Sequence, residues 1–512
     1  MLLASTVLTF LWCLLVEGHP SHSEPNAGKA LPRRQASRFL NEQSAKFSIN
    51  GTGFPHVPFD IGESYGGLLP VSPNQNDTQQ LYFWFFPSDN PAAQNEITVW
   101  LNGGPGCSSL IGLLQENGKF LWQPGQIGPV LNDWSWTKLT NVVWIDQPVG
   151  AGFAQGTPSA ASTEELAPQF MGFWKNFIDT FNLTGSKVYL AGESYAGQYI
   201  PYFASAMLDA NETDPGYFNV QGTMLIDPAI SLDVNLVELP MLNFTESHQE
   251  ILRFNDSFRD YARDLHANEF NYTGFFETYF KFPADGPMPI PPNADEGNSP
   301  FRSILADAAT LINPCFNVYN ILDHCPKLYD PVGVTGSTDG GMGVFFDLPE
   351  VKAAMNAPNT SWSACAGSPV YAGGSDQSPR PAFSVLPDVF ERVPLNIVAN
   401  GALDFLIPSM GTLFAVHNIT WGGTTGFQSQ PNSKFIVPAQ TPTSDAGSQQ
   451  VLGSVGEMGI WGYERGVIFV SVEGAGHMLP EHNPSAAFRL LEVLLGRVSV
   501  EQGMGGGAAW TV

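Results

Sequence analysis

Three residues of this chain have the types that together make a hydroxyl nucleophilic: Ser194, Asp404 and His477. A serine hydroxyl is a poor nucleophile near neutral pH. It needs an imidazole to take its proton and an acid to orient that imidazole. Ser194 lies in "LAGESYAGQYIP" (190–201), where Gly192-Glu193-Ser194-Tyr195-Ala196 approximates the strand–turn–helix pattern G-x-S-x-G. Ala196 stands where that pattern has its last glycine, and it is small enough for a helix passing close to a strand. Asp404 follows the apolar run "PLNIVANG", and His477 follows "VIFVSVEGAG". Both therefore fall just past the end of a strand, where open α/β sheets place their sites. Read singly, Asp404 is a turn former and His477 a loop residue. The order serine, acid, histidine, each at a strand end, argues for a triad.

A triad of this kind also needs backbone N–H groups aimed at the charge that develops on the substrate oxygen. Tyr195, just after the serine, supplies one. The glycine-rich loop in "WLNGGPGCSS" (100–109) follows an apolar run and offers Gly104 as the other. Glu193 is harder to place, because an acid beside the nucleophile opposes the build-up of negative charge.

The elements that must hold these residues are legible as apolar runs. "QLYFWFF" (80–86), "EITVWLNGG" (96–104), "NVVWIDQP" (141–148) and "KVYLAGES" (187–194) read as strands. "STEELAPQFMGFWKNFIDTF" (162–181) has helical spacing, with Ser162 and Glu165 placed as a capping box and Pro168 expected in the first turn. Strands alternating with a helix predict an α/β fold with a mostly parallel central sheet flanked by helices. Residues 205–340 change character, with helical stretches and the loop-forming "FPADGPMPIPPNADEGNSP". This stretch reads as a large helical cap insertion. Strands resume at 394–401 and 465–476, and "PSAAFRLLEVLLG" (484–496) reads as a last helix. The predicted organisation is a signal peptide at 1–18, an N-terminal segment at 19–55 that includes a candidate propeptide, and a core first half at 56–204. The cap at 205–340, a core second half at 341–497 and a flexible tail at 498–512 complete it.

The chain has 512 residues, 22 basic against 48 acidic, for a net charge of -26. Such a charge repels nucleic acid and anionic membrane, so neither is an expected partner. It also fits work in acid, where protonation lowers self-repulsion. The apolar run Leu2–Val16 is too short for a membrane span and reads as a secretory signal. Sequons at Asn50, Asn76, Asn182, Asn211, Asn243, Asn255, Asn271, Asn359 and Asn418 are glycosylation candidates and support secretion. Once Cys13 leaves with the signal, Cys107, Cys315, Cys325 and Cys365 remain, a number suited to two disulfides. Neither the cysteines nor the nine histidines are spaced as a zinc site, so no metal or cofactor is expected.

The stretches "WLNGGPGCSS", "VVWIDQPVGAGF", "GESYAGQYIP", "NGALDFLIP" and "GAGHMLPEHNP" together resemble the serine carboxypeptidases, an α/β-hydrolase peptidase family. "GTMLIDPAI" and "NPCFNVYNILDHCP" resemble its secreted fungal branch, and a vacuolar destination is the other one considered. The resemblance implies Ser194 as nucleophile, Asp404 as acid, His477 as base, and Gly104 and Tyr195 as the oxyanion hole. It implies Asn102 and Glu193 as the groups that bind the substrate's terminal carboxylate, with Glu116 paired to Glu193 and Trp100 in the same network. Met478 would line the pocket for the departing residue, and methionine there suggests apolar side chains. The resemblance also pairs Cys107 with Cys365, leaving Cys315 with Cys325. Ala402 departs from the family, which often has Asp there. Peptides or proteins with a free C-terminus are the implied substrates. Two glutamates in contact resist ionising together, so one should hold a proton and hydrogen-bond a carboxylate in acid. An acyltransferase of the same family is the alternative chemistry. An esterase or lipase would have no use for a carboxylate-binding set, and a binding module without activity would not need the triad.

Overall fold

The apolar runs dictate a layered molecule, since each must be covered on both faces. The structure is a computed structural model that describes residues 37–292, 299–338, 341–439 and 454–507. The signal peptide and Cys13 lie outside the described residues. The chain divides into Met1–Arg38 and Phe39–Val512, and the second unit is described below.

Eleven strands form one sheet: β1 (Ser48–Ile49), β2 (Ser64–Pro70), β3 (Gln80–Phe86), β4 (Glu96–Leu101), β5 (Asn141–Asp146), β6 (Lys187–Glu193), β7 (Val220–Ile226), β8 (Leu395–Gly401), β9 (Ser433–Val437), β10 (Gly456–Glu464) and β11 (Val467–Val472). Their spatial order is β1-β2-β3-β5-β4-β6-β7-β8-β11-β10-β9. From β5 through β11 the neighbours run parallel. The outer strands are antiparallel. The six parallel strands are covered on both faces, which is why most of them read as apolar runs and not as alternation.

β3 shows how one strand serves two cores. Leu81, Phe83 and Phe85 face one core, and Tyr82, Trp84 and Phe86 face the other. Helix α1 (Thr163–Phe181) covers the first, with Phe177 edge-on to Phe83 and Phe85 at 5.4 Å each. The Ser162 hydroxyl caps α1 by accepting the Glu165 N–H at 3.1 Å, as the spacing predicts. Pro168 lies past the first turn, inside the helix. Helix α2 (Ala196–Asn211) follows β6 and packs on the same face.

The cap starts later than the sequence suggests. Residues 205–211 complete α2, and 220–226 are β7, in the middle of the sheet. Gln221, Gly222 and Thr223 interrupt the apolar run of β7, so it did not read as a strand. The insertion proper follows β7 with helices α3 (Leu239–Ser247), α4 (Asp256–Asp264), α5 (Tyr272–Tyr279) and α6 (Pro300–Ile312). Buried Glu238 caps α6 by accepting the N–H groups of Phe301 and Arg302, each at 3.0 Å. Phe244 of α3 meets Phe405 edge-on at 5.7 Å, which ties the cap to the Asp404 loop.

Two terminal expectations also change. The segment 19–55 is not all separable, because Phe47 is in the core and β1 pairs with β2. The expected flexible tail at 498–512 is ordered in part. Helix α7 (Pro484–Leu494) covers the second core, and α8 (Val500–Met504) packs on it with Met504 fully buried. Glycines around α8 masked that anchor in the sequence. Residues 508–512 lie outside the described residues. Met504→Ala is expected to cost about 2–5 kcal/mol and lower the thermal midpoint, read by circular dichroism. A silent variant would restore the flexible tail.

Candidate active site

Ser194 stands between β6 and α2 with φ of +60°, in the left-handed region that side chains other than glycine avoid. The turn is held from outside: the Ser194 N–H donates to the Ile226 carbonyl at 2.9 Å, and its carbonyl accepts from Gly197 at 2.9 Å and Ala229 at 3.0 Å. Such a turn leaves no space beside it. A Cβ on Gly192 would stand 2.3 Å from the Leu101 oxygen and 2.8 Å from Ala196 Cβ, which explains the small residue at 196. A Cβ on Gly103 would stand 2.3 Å from the Tyr195 nitrogen. The 103–109 loop therefore starts against the opening of α2, with Gly103 packed on the Tyr195 backbone. The N–H groups that open a helix have no partners within it and favour negative charge.

That loop is anchored by groups the sequence did not single out. Buried Asp146, at the end of β5, accepts the Ser108 hydroxyl at 2.6 Å and the N–H groups of Ser109 at 2.9 Å and Phe153 at 2.8 Å. Burial pushes its carboxyl up to about 6. The Cys107–Cys365 disulfide ties the loop to residues 364–366, where Ser108 and Ala366 exchange backbone bonds with Ala364 and Gly106. Cys315–Cys325 is formed as well.

His477 and Asp404 meet at the strand ends of β11 and β8. The His477 Nδ1–H donates to Asp404 Oδ2 at 2.7 Å, and both side chains are buried, 2% and 0% exposed. Asp404 Oδ1 accepts the Leu406 N–H at 2.7 Å. His477 Nε2 is buried and has no partner among the described residues. The Cys315–Cys325 loop supports both: the Tyr319 carbonyl accepts from His477 N at 2.7 Å, and the Val318 carbonyl accepts from Phe405 and Leu406 at 3.0 Å. Asp227, Asp404 and His477 have the donor types of a metal site, with one atom from each within 4.8 Å. The direct bond between Nδ1 and Oδ2 leaves no space for an ion between those two atoms.

Beside Ser194, Trp100 Nε1–H donates to Asn102 Oδ1 at 2.8 Å, and the Gly112 N–H donates to the same oxygen at 3.1 Å. These two bonds fix the amide, so Asn102 Nδ2 can only donate. It reaches Glu193 Oε1 at 2.8 Å and Glu116 Oε1 at 3.4 Å. Neither glutamate is paired with Lys or Arg among the described residues. Burial pushes Glu193 up to about 8. Glu116 is held well above the usual carboxylate range by burial first and then by Glu193's charge. Desolvation, more than mutual repulsion, thus sets the pair, and both carboxyls are neutral in acid.

A cavity of about 550 Å³ opens next to His477, with Met478, Tyr319, Leu322, Gln123, Asp323 and Glu481 among its walls. Glu481 was missed in the sequence, where it reads as a helix-start residue in "HMLPEHNP". Burial and Glu116's charge hold its carboxyl well above the ordinary range.

A family profile described as serine carboxypeptidase matches residues 55–497. The chain belongs to the serine carboxypeptidase family. It is a serine-type carboxypeptidase, and peptides are its substrate class. The chain is 45% identical to a probable serine carboxypeptidase of Arthroderma benhamiae, covering 91% of this chain and 89% of that one. It is 39% identical to serine-type carboxypeptidase F of Aspergillus niger, covering 90% and 88%. The fold matches a prohormone-processing carboxypeptidase from Saccharomyces cerevisiae with a TM-score of 0.69 at 23% identity, covering 89% of this chain and 97% of that chain. No helix among the described residues is long and apolar enough to cross a membrane.

The buried acids make stability depend on pH. Glu193 ionises near its ordinary 4.5 when unfolded and near 8 when folded, so between those values the folded chain holds the extra proton. Stability then falls as pH rises. The thermal midpoint is expected to drop from about pH 5 to about pH 8, and Glu193→Gln should flatten the slope, followed by differential scanning fluorimetry. A midpoint that rises over that window would contradict the shift.

Proposed function

We propose that the protein removes the C-terminal residue of peptides and proteins through an acyl-enzyme on Ser194, in acid, outside the cytoplasm. His477 Nε2 takes the Ser194 proton as Oγ attacks the last peptide carbonyl. The Gly104 and Tyr195 N–H groups hold the oxyanion. His477 then protonates the departing amine and activates the water that releases the shortened peptide. Asp404 keeps Nδ1 protonated and stabilises the imidazolium.

The observation that carries this reading is the neutral acid pair beside the nucleophile. An ionised Glu193 would repel a terminal carboxylate. A protonated Glu193 donates to it, and the locked Asn102 amide donates beside it. A neutral ester offers no such group, so the cluster favours a peptidase over an esterase. Acyl transfer to an alcohol uses the same triad and is separated only by its product. The departing side chain enters the cavity by Met478, which offers an apolar wall, while Glu481 stays neutral in acid. Apolar C-terminal residues are then preferred, and basic ones gain as Glu481 ionises.

Secretion is supported by two disulfides and by the sequons. Asn50, Asn76, Asn182, Asn243, Asn255, Asn271 and Asn359 are exposed, and Asn211 and Asn418 half-buried. A shift in mass on enzymatic deglycosylation of the secreted protein would show occupancy.

Mass spectrometry of a peptide panel, with apolar and basic C-termini, tests the activity. Ladders of free C-terminal residues are expected, and Ser194→Ala should lower kcat on the order of 10⁴-fold or more. Internal cleavage, or an unaffected Ser194→Ala, overturns the assignment. For peptides, kcat/KM is expected to fall as pH rises through about 8, where Glu193 ionises. Esters lacking the carboxylate should fall less, and Glu193→Gln should weaken the peptide dependence. An unchanged profile in Glu193→Gln would remove the glutamate from carboxylate binding.

A further inference from the structure

A fourth titratable side chain stands against Asp404 and His477, and the reaction above does not use it. Asp227 directly follows β7, is fully buried and has φ of +44°. Its N–H donates to the Ala399 carbonyl at 2.7 Å. Its Oδ1 accepts the Gly401 N–H at 2.9 Å and Asn400 Nδ2 at 3.2 Å. Its neighbours Ile226 and Ala229 supply the backbone bonds that hold Ser194. One oxygen of Asp227, one of Asp404 and one ring nitrogen of His477 lie within 4.8 Å of each other. Asp227 Oδ2 is buried, and no N–H or hydroxyl among the described residues donates to it.

Two carboxyls this close and this far from water do not both ionise. Asp404 is the better anion of the two: it accepts the Leu406 N–H on one oxygen and the His477 Nδ1–H on the other. Asp227 has donors on Oδ1 alone, and its bare Oδ2 is the place for the proton. Burial and Asp404's charge both favour the neutral form there.

We propose that Asp227 is a positioning residue for the triad, a neutral carboxyl whose Oδ2–H donates to Asp404. It fixes the Asp404 carboxylate that orients His477, and it keeps one negative charge, not two, facing the imidazole. Each added anion raises an imidazole's affinity for its proton. The other titratable groups facing this cluster are Glu193 at the end of β6, Tyr319 of the disulfide loop and His482 after β11. None is a cation that could offset a second carboxylate in place of the proton. The inference rests on the proposed roles of Asp404 and His477.

The test uses ester substrate, which takes carboxylate recognition out of the measurement, with Asp404→Ala as the control for the triad itself. Asp227→Ala is expected to lower kcat about tenfold or more with little change in KM. Asp227→Asn keeps a neutral donor, and should recover kcat to within about threefold at about pH 5 without moving the acid limb of the pH–rate profile. In infrared difference spectra of the whole protein, Asp227→Asn should lose one protonated-carboxyl band. An Asp227→Asn as impaired as Asp227→Ala overturns the proposal, as does an Asp227→Ala indistinguishable from the parent. If Asp227→Ala does not fold, the infrared spectrum decides, and unchanged bands in Asp227→Asn show an ionised Asp227 and sink the idea. Failure of the triad assignment would look different, because Asp404→Ala would then retain activity.

Discussion

Glu193, Glu116, Asp227, Asp404 and Asp146 all lose water where the C-terminal ends of the parallel strands come together, and none is paired with Lys or Arg among the described residues. Carboxyls in that position are tolerated only with donors around them or a proton on them. Each finds its own solution. Asp146 collects a hydroxyl and two N–H groups and so anchors the loop that carries Gly104. Asp404 takes the imidazole of His477. Glu193 and Glu116 share the Asn102 amide, and burial favours their protonated forms. The proposed chemistry of the site, recognition of an anion by neutral acids beside Ser194, depends on which carboxyls are anions and which are not.

The sheet makes this cluster by close approach. β4, β6, β7, β8 and β11 end side by side, and their loops touch because glycines stand where a Cβ would collide. Gly401 is an example: a Cβ there would lie 2.2 Å from the Gly476 oxygen, so the Asp404 and His477 loops meet only over a bare backbone. Gly103 does the same between the Gly104 loop and α2. The strain at Ser194 is supported by hydrogen bonds from the next strand, which places Asp227 against the triad. Ser194, the Gly104 loop and the Asp404 loop are thus held by one network of backbone contacts, and the Cys315–Cys325 loop bonds to the backbone beside Asp404 and His477.

Much of this was legible in the chain. The strand β3, read from the run "QLYFWFF", occupies those same positions, and the Ser162 cap and the helix after it stand where periodicity places them. The types and order of Asp404 and His477, each after an apolar run, put them at neighbouring strand ends, where they bond at 2.7 Å. The boundaries of the cap were not legible, because Gln221, Gly222 and Thr223 break the apolar run of β7 and leave no clear strand pattern. β10 was missed for a related reason: "GEMGIWGYE" carries three glycines and no sustained period.

Residue type and local spacing alone determined the α/β architecture, the elbow at Ser194 and the candidate acid and base, since these depend on neighbours in sequence. Only the tertiary structure decided which carboxyls carry protons. Glu193 meets Glu116 across 77 residues, a separation read from the chain, and Asp227 meets Asp404 from a different strand. Desolvation depends on everything that surrounds a group in space. No local pattern records it, so Asp227 looks like an ordinary polar residue until the sheet and its loops close over it.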